Sequence, residues 1–273
     1  MQGLRELGYI ERQNIAIEYR NANGKTQLLS DLAAELIRDE VSVIVANGPN
    51  AIKAAMKVTQ AIPIIMVGAG DPVVRGLVKG LSVPGGNVTG LSSSGRGTYG
   101  KQLELLKDTF PSLARVAILN PRTTKVFLKE YQYAAKALGI EIQSIDVYRS
   151  EQLDNGFARI KEMHPDAFIT MREVLTVHHA KQIVEFALQN RLPSMYENTH
   201  FVEEGGLMSY GVNDTVSWHR AAVFVDKVLK GANPATLPIE PPQLEFAINL
   251  RTANKLSVKI PPEILLEANE VIK

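Results

Sequence analysis

The 273-residue chain contains no cysteine. This absence excludes disulfide bonds, thiolate metal sites and a cysteine nucleophile, and it fits any redox compartment. Aromatic residues are scarce at 6%, and neither sign of charge dominates, since 30 basic and 29 acidic side chains give a net charge of +1. This balance gives no electrostatic reason to expect a nucleic acid partner. No apolar run approaches the roughly 20 residues that a membrane span needs.

The chain does contain regular alternation of strand-like and helix-like segments. Short apolar runs, of which 63–67 is one, alternate with segments of helical periodicity, of which 125–138 is one. The alternation occurs in two successive series. Alternation of this kind predicts parallel sheets with helices on both faces. The predicted fold class is therefore α/β, with two doubly wound lobes. The less regular segments are interpreted as strands at 14–20 and 41–46, a weak helix near 73–81 and one helix at 175–190.

In doubly wound folds, ligands bind beyond the carboxyl ends of the strands. Small and polar residues follow several predicted strands, most densely between Pro63 and Ser94. Asp71 suits a ligand ammonium group, although it precedes Pro72 and equally fits a helix cap. Arg122 suits a carboxylate, with a solvated surface position as the open alternative. The predicted ligand-binding residues are Asn47, Gly48, Pro49, Asn50, Gly70, Asp71, Asn87, Thr89, Asn120, Arg122, Met171, Asn198, Thr199 and Tyr210.

The motifs for cofactors and catalysis are incomplete. Gly68-Ala69-Gly70 lacks the third glycine of a dinucleotide fingerprint, because Val73 stands in its place. Gly90 to Gly95 does not meet the Gly-x-Ser-x-Gly spacing of a nucleophile elbow. His178 and His179 are adjacent on a predicted helix, so their side chains diverge and do not share an ion easily. We therefore predict no cofactor, no metal site and no enzymatic activity.

Several stretches together resemble the extracytoplasmic solute-binding proteins of ABC importers, in the group that includes tryptophan- and tyrosine-type amino-acid binders. The resemblance implies a type I periplasmic-binding fold with a ligand cleft between two lobes that close on a hinge. It implies an N-lobe of residues 1–91 plus about 212–238, and a C-lobe of 92–211 plus about 239–273. The stretches that carry it are Gly3–Tyr9, Asn14–Arg20, Gly70–Val73, Pro84–Gly90, Ser209–Gly211, Val228–Pro234, Leu237-Pro238 and Ile248–Leu250.

The function that this resemblance implies is non-catalytic delivery of a solute to an ABC permease. The solute is expected to be a small amino acid, aromatic ones included, or a similar carboxylate. The resemblance also implies a periplasmic or membrane-anchored extracytoplasmic location. However, these residues show no export signal, and they begin inside a helix that follows the first strand in such relatives. We therefore expect an N-lobe without that strand.

Two other functions stay open at this point. The first is a cytoplasmic ligand-sensing or effector domain of the same fold, although no helix-turn-helix segment is present to complete a regulator. The second is an enzyme of the doubly wound class, which lacks a paired acid and base in this sequence.

Overall fold

The computed structural model describes residues 1–93, 97–121 and 127–273. Short 3-10 helices at Thr26–Leu28 and Ser150–Gln152 lead into longer α-helices. The α-helices are α1 (Gln2–Glu6), α2 (Leu29–Arg38), α3 (Pro49–Val58), α4 (Thr98–Thr109), α5 (Leu128–Leu138), α6 (Leu153–Glu162), α7 (Val174–His178), α8 (Ala180–Gln189), α9 (Thr199–Glu203), α10 (Asp214–Leu229), α11 (Leu250–Leu256) and α12 (Pro262–Glu267). The strands are β1 (Ile44–Asn47), β2 (Ile64–Val67), β3 (Val88–Gly90), β4 (Arg115–Pro121), β5 (Glu141–Val147), β6 (Ala167–Thr170), β7 (Ser194–Tyr196), β8 (Met208–Val212), β9 (Leu244–Asn249) and β10 (Glu270–Ile272).

The chain forms two compact units, each built from two segments. Unit 1 comprises Met1–Gly95 and Asn213–Gln243, and unit 2 comprises Arg96–Val212 and Leu244–Lys273. Residues 239–243 belong to unit 1, whereas the resemblance implies a C-lobe that begins again at about 239. The main chain of Glu240 pairs there, donating from N to Gly90 O at 3.0 Å and accepting from Ser92 N at 3.0 Å.

Unit 1 is organised around a parallel sheet in the order β1-β2-β3. The central strand β2 is buried along its whole length, as expected for a short apolar run between two neighbours. Helix α3, backed by α2, covers one face, and α10 with α1 covers the other. Gly3 allows α1 to lie close to α10, since a Cβ there would be only 3.0 Å from Ala222 Cβ and from His219 O.

Unit 2 is organised around a sheet in the order β10-β9-β8-β7-β6-β4-β5. The pairs are parallel, as predicted for these sheets, except β8–β9, which is antiparallel. The chain leaves unit 2 after β8, passes through residues 213–243 of unit 1, and returns as β9 in the opposite direction. Helices α4, α5, α11 and α12 pack on one face, and α6 and α8 pack on the other.

Three predicted elements are wrong. Asn14–Arg20 forms no strand: Ile15 makes an isolated bridge to Glu11, and the Arg20 side chain pairs with Glu35 on α2 and with Asp39 just after that helix. Residues 73–81 form a turn instead of a helix, because Gly76 adopts a φ of 66° and ends the first helical turn.

The helix predicted at 175–190 is broken at His179 into α7 and α8. Strands β3 and β10 and helix α12 were not predicted. Each is short, so each carries little periodicity for sequence reasoning to detect.

Candidate functional site

The carboxyl ends of the three strands of unit 1 are joined by hydrogen bonds between main-chain groups and by one bond to the Ser93 side chain. Gly48 N donates to Val67 O at 2.8 Å, which links the end of β1 to the end of β2. Gly70 N donates to Ser93 Oγ at 2.7 Å, and Ser93 N donates back to Gly70 O at 3.2 Å. Ser93 was not among the predicted residues. This edge is a surface of small residues with their backbone held in place.

Asn47 and Gly48 lie at this edge, as predicted, but Pro49 and Asn50 do not form a loop. They occupy the first turn of α3, with Pro49 at the start, where its missing N–H costs nothing. Gly48 precedes the helix with a φ of 82°, and no side chain caps this terminus. Asn47 is exposed and its Oδ1 lies over Gly68, 2.8 Å from where a Cβ would stand.

Asp71 follows the same edge and has a structural role that the sequence left open. Its Oδ1 accepts hydrogen bonds from Val73 N at 2.9 Å and from Val74 N at 3.0 Å. Leu77 N then donates to Pro72 O at 2.8 Å and closes the turn. Asp71 is half-buried, and its two hydrogen bonds to main-chain amides hold its carboxylate at this edge.

Asn87 and Thr89 are placed differently from the prediction. Asn87 precedes β3 and therefore lies at the amino edge of the sheet, where its Nδ2 donates to Ile62 O at 2.8 Å and to Thr59 O at 3.2 Å. Thr89 is fully buried within β3 and donates from Oγ1 to Leu237 O at 2.7 Å. Both side chains hold main chain together, which corrects their assignment to a ligand loop.

In unit 2, most predicted residues lie near the carboxyl ends of β4, β6 and β7 but are buried. Asn120 belongs to β4 and donates from Nδ2 to Asp146 Oδ1 at 2.8 Å. Met171 is fully buried in the core. Asn198 caps α9, accepting from His200 N at 2.8 Å, and Thr199 is the first residue of that helix. The predicted ligand-binding residues Asn198 and Thr199 therefore form the start of a helix.

Tyr210 lies inside β8 and is half-buried. Its main-chain oxygen accepts a hydrogen bond of 2.6 Å from Gln102 Nε2. The Gln102 side chain in turn accepts a hydrogen bond from Tyr131 OH through Oε1. Both Gln102 and Tyr131 are fully buried. Burial, together with the nearby charge of Glu197, raises the pKa of Tyr131 well above its ordinary value, so it stays protonated and able to donate.

Sequence reasoning missed Gln102 and Tyr131. One signal was present for Gln102, since helical spacing puts it on the inward face of α4 with Leu103 and Leu106. A polar residue on an apolar face usually has a buried partner. Arg122, the predicted carboxylate partner, lies outside the described residues.

Within the described ranges, no group of three or more histidine, aspartate or glutamate side chains is placed to hold a metal ion. None of the helices in those ranges has the length and apolar character needed to cross a membrane.

Comparison with known proteins places this arrangement in a class. The solved structure of an ABC domain in complex with L-Trp from Streptococcus pneumoniae is 26% identical, with a TM-score of 0.92, covering 99% of this chain and 92% of that one. A conserved domain protein from Vibrio cholerae is 24% identical, also with a TM-score of 0.92 and the same coverage, and shows the fold alone. A tyrosine-binding protein of Clostridioides difficile is 25% identical over 263 residues, which are 95% of this chain and 75% of that protein.

The fold and these relatives define a substrate-binding protein of the type I periplasmic kind. The model of the family of ABC transporter substrate binding proteins matches residues 1–272, and the chain belongs to this family. The family resemblance and the α/β fold class predicted from the sequence are confirmed. Family members are non-catalytic, so the prediction that the chain is not an enzyme is also confirmed. The family is typically extracytoplasmic.

Proposed function

We propose that this protein is the solute-binding component of an ABC importer and that its solute is an aromatic L-amino acid. The observation that carries the proposal is the match to an L-Trp complex along 99% of the chain. The tyrosine-binding relative supports the same class of solute. In this role the protein would work outside the cytoplasm, periplasmic or membrane-anchored, and deliver its ligand to permease subunits.

The chemistry at the carboxyl edges supports an amino acid rather than a strongly charged solute. Unit 1 offers main-chain groups fixed around Gly70 and Ser93, the exposed amide of Asn47 and the carboxylate of Asp71. An ammonium group suits Asp71, because a charge-assisted hydrogen bond is about twice as strong as a neutral one. The cleft between the lobes that the family resemblance implies stays a prediction.

Titration calorimetry with L-Trp and two analogues tests the proposal. Tryptamine lacks the carboxylate, and indole-3-propionate lacks the ammonium group, while both keep the aromatic ring. We expect L-Trp or L-Tyr to bind, and each analogue to bind at least about tenfold more weakly, which is about 1.4 kcal/mol. Equal binding of L-Trp and indole-3-propionate would contradict recognition of an amino acid. Binding of none of the aromatic amino acids would overturn the proposed solute.

A further inference from the structure

The main-chain oxygen of Tyr210 points to a side of β8 where the sheet has ended. Strand β7 pairs with β8 only at Met208 and Ser209. On the other side, β9 pairs with all of β8. Asn249 N donates to Leu207 O at 2.8 Å, and Asn213 N donates to Gln243 O at 3.1 Å. The main-chain N–H and C=O groups of the odd-numbered residues of β8 therefore point toward β9. The main-chain groups of the even-numbered residues, Tyr210 included, point toward the β7 side.

Gln102 takes the place of the missing strand neighbour. Its Nε2 donates to Tyr210 O at 2.6 Å from α4, which packs over this end of β8. The carbonyl only accepts, so the amide nitrogen must face it and Oε1 must face away. Without Gln102, the Tyr210 carbonyl would lose this partly buried hydrogen bond.

Tyr131 fixes the orientation of Gln102. Its hydroxyl, supplied by α5, donates to Gln102 Oε1, so both ends of the amide are satisfied. Tyr131 and Gln102 are each fully buried, and no water replaces either bond without disturbing the core. The three residues form a chain of hydrogen bonds from α5 through α4 to β8.

We propose that Gln102, oriented by Tyr131, is a positioning residue that holds the Tyr210–Val212 end of β8 in the geometry used for ligand binding. The inference rests on the proposed function for its ligand, and on the hydrogen bonds alone for the holding role. Beyond β7, the main chain of this segment pairs with β9 on one side, and on the other side Tyr210 O accepts the hydrogen bond of Gln102. Tyr210 is the half-buried aromatic side chain on this segment, so its position governs the surface offered to an aromatic solute.

The holding role is measured without ligand, by amide hydrogen exchange of the peptide that contains 208–213. Tyr131→Phe removes only the hydroxyl, and Gln102→Met removes both amide groups at nearly constant length. Tyr196→Phe is the matched control, because Tyr196 is fully buried on the other face of the same sheet. We expect exchange in this peptide to accelerate at least about tenfold in both variants and to stay within about twofold in the control.

The ligand role is measured by the affinity for L-Trp and L-Tyr in the same three variants. We expect at least about a tenfold loss in Gln102→Met and a smaller loss in Tyr131→Phe, with Tyr196→Phe unchanged. Unchanged exchange in both variants would overturn the holding role. Faster exchange with wild-type affinity would overturn the link to the ligand. If the wild-type protein binds neither amino acid, the proposed function fails, and hydrogen exchange still decides whether Gln102 holds β8.

Discussion

The main-chain oxygen of Glu197 lies 1.8 Å from the position that a Cβ on Gly211 would take. Glu197 directly follows β7, and Gly211 lies in β8. The main chain that follows β7 therefore packs directly against the main chain of Gly211. Any side chain at this position would push the start of α9 away from the sheet. The glycine is needed here for close approach of two backbones, since its φ is not in the left-handed region.

Gly211→Ala should therefore be among the most damaging small substitutions in unit 2. Since the overlap is with backbone rather than a flexible side chain, we expect a loss of about 3 kcal/mol or more in the free energy of unfolding. Urea unfolding measures it, with Gly100→Ala as the control. Gly100 lies inside α4, and a Cβ there would meet Ala134 Cβ of α5 at an ordinary contact distance of 3.5 Å. That change should therefore be neutral or stabilising. Equal midpoints for the two variants would contradict the close approach.

Asn87→Ala should lower stability and leave ligand affinity unchanged. Its Nδ2 bonds to Thr59 O and Ile62 O tie the amino edge of unit 1 together, and their loss should cost about 1–3 kcal/mol. Chemical unfolding and calorimetry on the same preparation separate the two effects. Gln60→Ala, an exposed change next to Thr59 in the chain, should stay within about 0.5 kcal/mol of wild type. Weakened binding with full stability would instead return Asn87 to the ligand site.

Asp71 caps a turn through its hydrogen bonds and also offers a negative charge, and two substitutions separate these two roles. Asp71→Asn keeps an oxygen acceptor for the amides of Val73 and Val74, so stability should be retained. Asp71→Ala removes the cap and should cost about 0.5–2 kcal/mol. Under the proposed function both variants should bind amino acids more weakly, because both lack the carboxylate charge. Wild-type affinity in Asp71→Asn, measured by calorimetry, would remove this charge from the site.

Asp226 on α10 should contribute to the acid limb of stability. Its carboxylate pairs with Lys230 Nζ at 2.8 Å and accepts from Tyr9 OH at 2.9 Å, and these bonds, that of Lys230 first, lower its pKa. A lowered pKa means that the stabilisation is present above the unfolded value of about 4 and is lost as the pH falls through the folded value.

Asp226→Asn should therefore lower the melting temperature at neutral pH and flatten its fall below about pH 4. Tyr9→Phe, which removes one of the two partners, should give a smaller change of the same sign. Melting curves recorded between about pH 7 and pH 2 measure both. An acid limb as steep as that of the wild type in Asp226→Asn would show that other carboxylates set it.

Much of the fold was predictable because strand–helix alternation depends on local periodicity. Buried runs such as Ile64–Val67 and helix ends such as Gly139 were recognisable from the residues themselves. The failures came where a partner decides the outcome. Asn14–Arg20 alternates like a strand, yet no strand in the described ranges pairs along it. An ion pair between Arg20 and α2 holds the end of this segment against the helix instead.

The candidate site was less predictable, because a loop in a sequence does not reveal which edge of a sheet it joins. Asn87 belongs to a glycine-rich stretch, but β3 begins just after it and puts it at the amino edge. Asn120 reads as the first loop residue after β4, yet the strand continues to Pro121. Gln102 lies 108 residues from Tyr210 in the sequence. Its inward position on α4 predicts a buried partner, but only the structure identifies that partner as Tyr210 O.

Thermal unfolding of this 273-residue chain in the presence of single amino acids or small carboxylates shows directly whether it binds an aromatic amino acid. At about 100 times its dissociation constant, a true ligand should stabilise the folded protein by about 2.7 kcal/mol. We expect a cooperative transition whose melting temperature rises with L-Trp or L-Tyr and does not change with carboxylates that lack an ammonium group. A cooperative transition that no amino acid moves would contradict it.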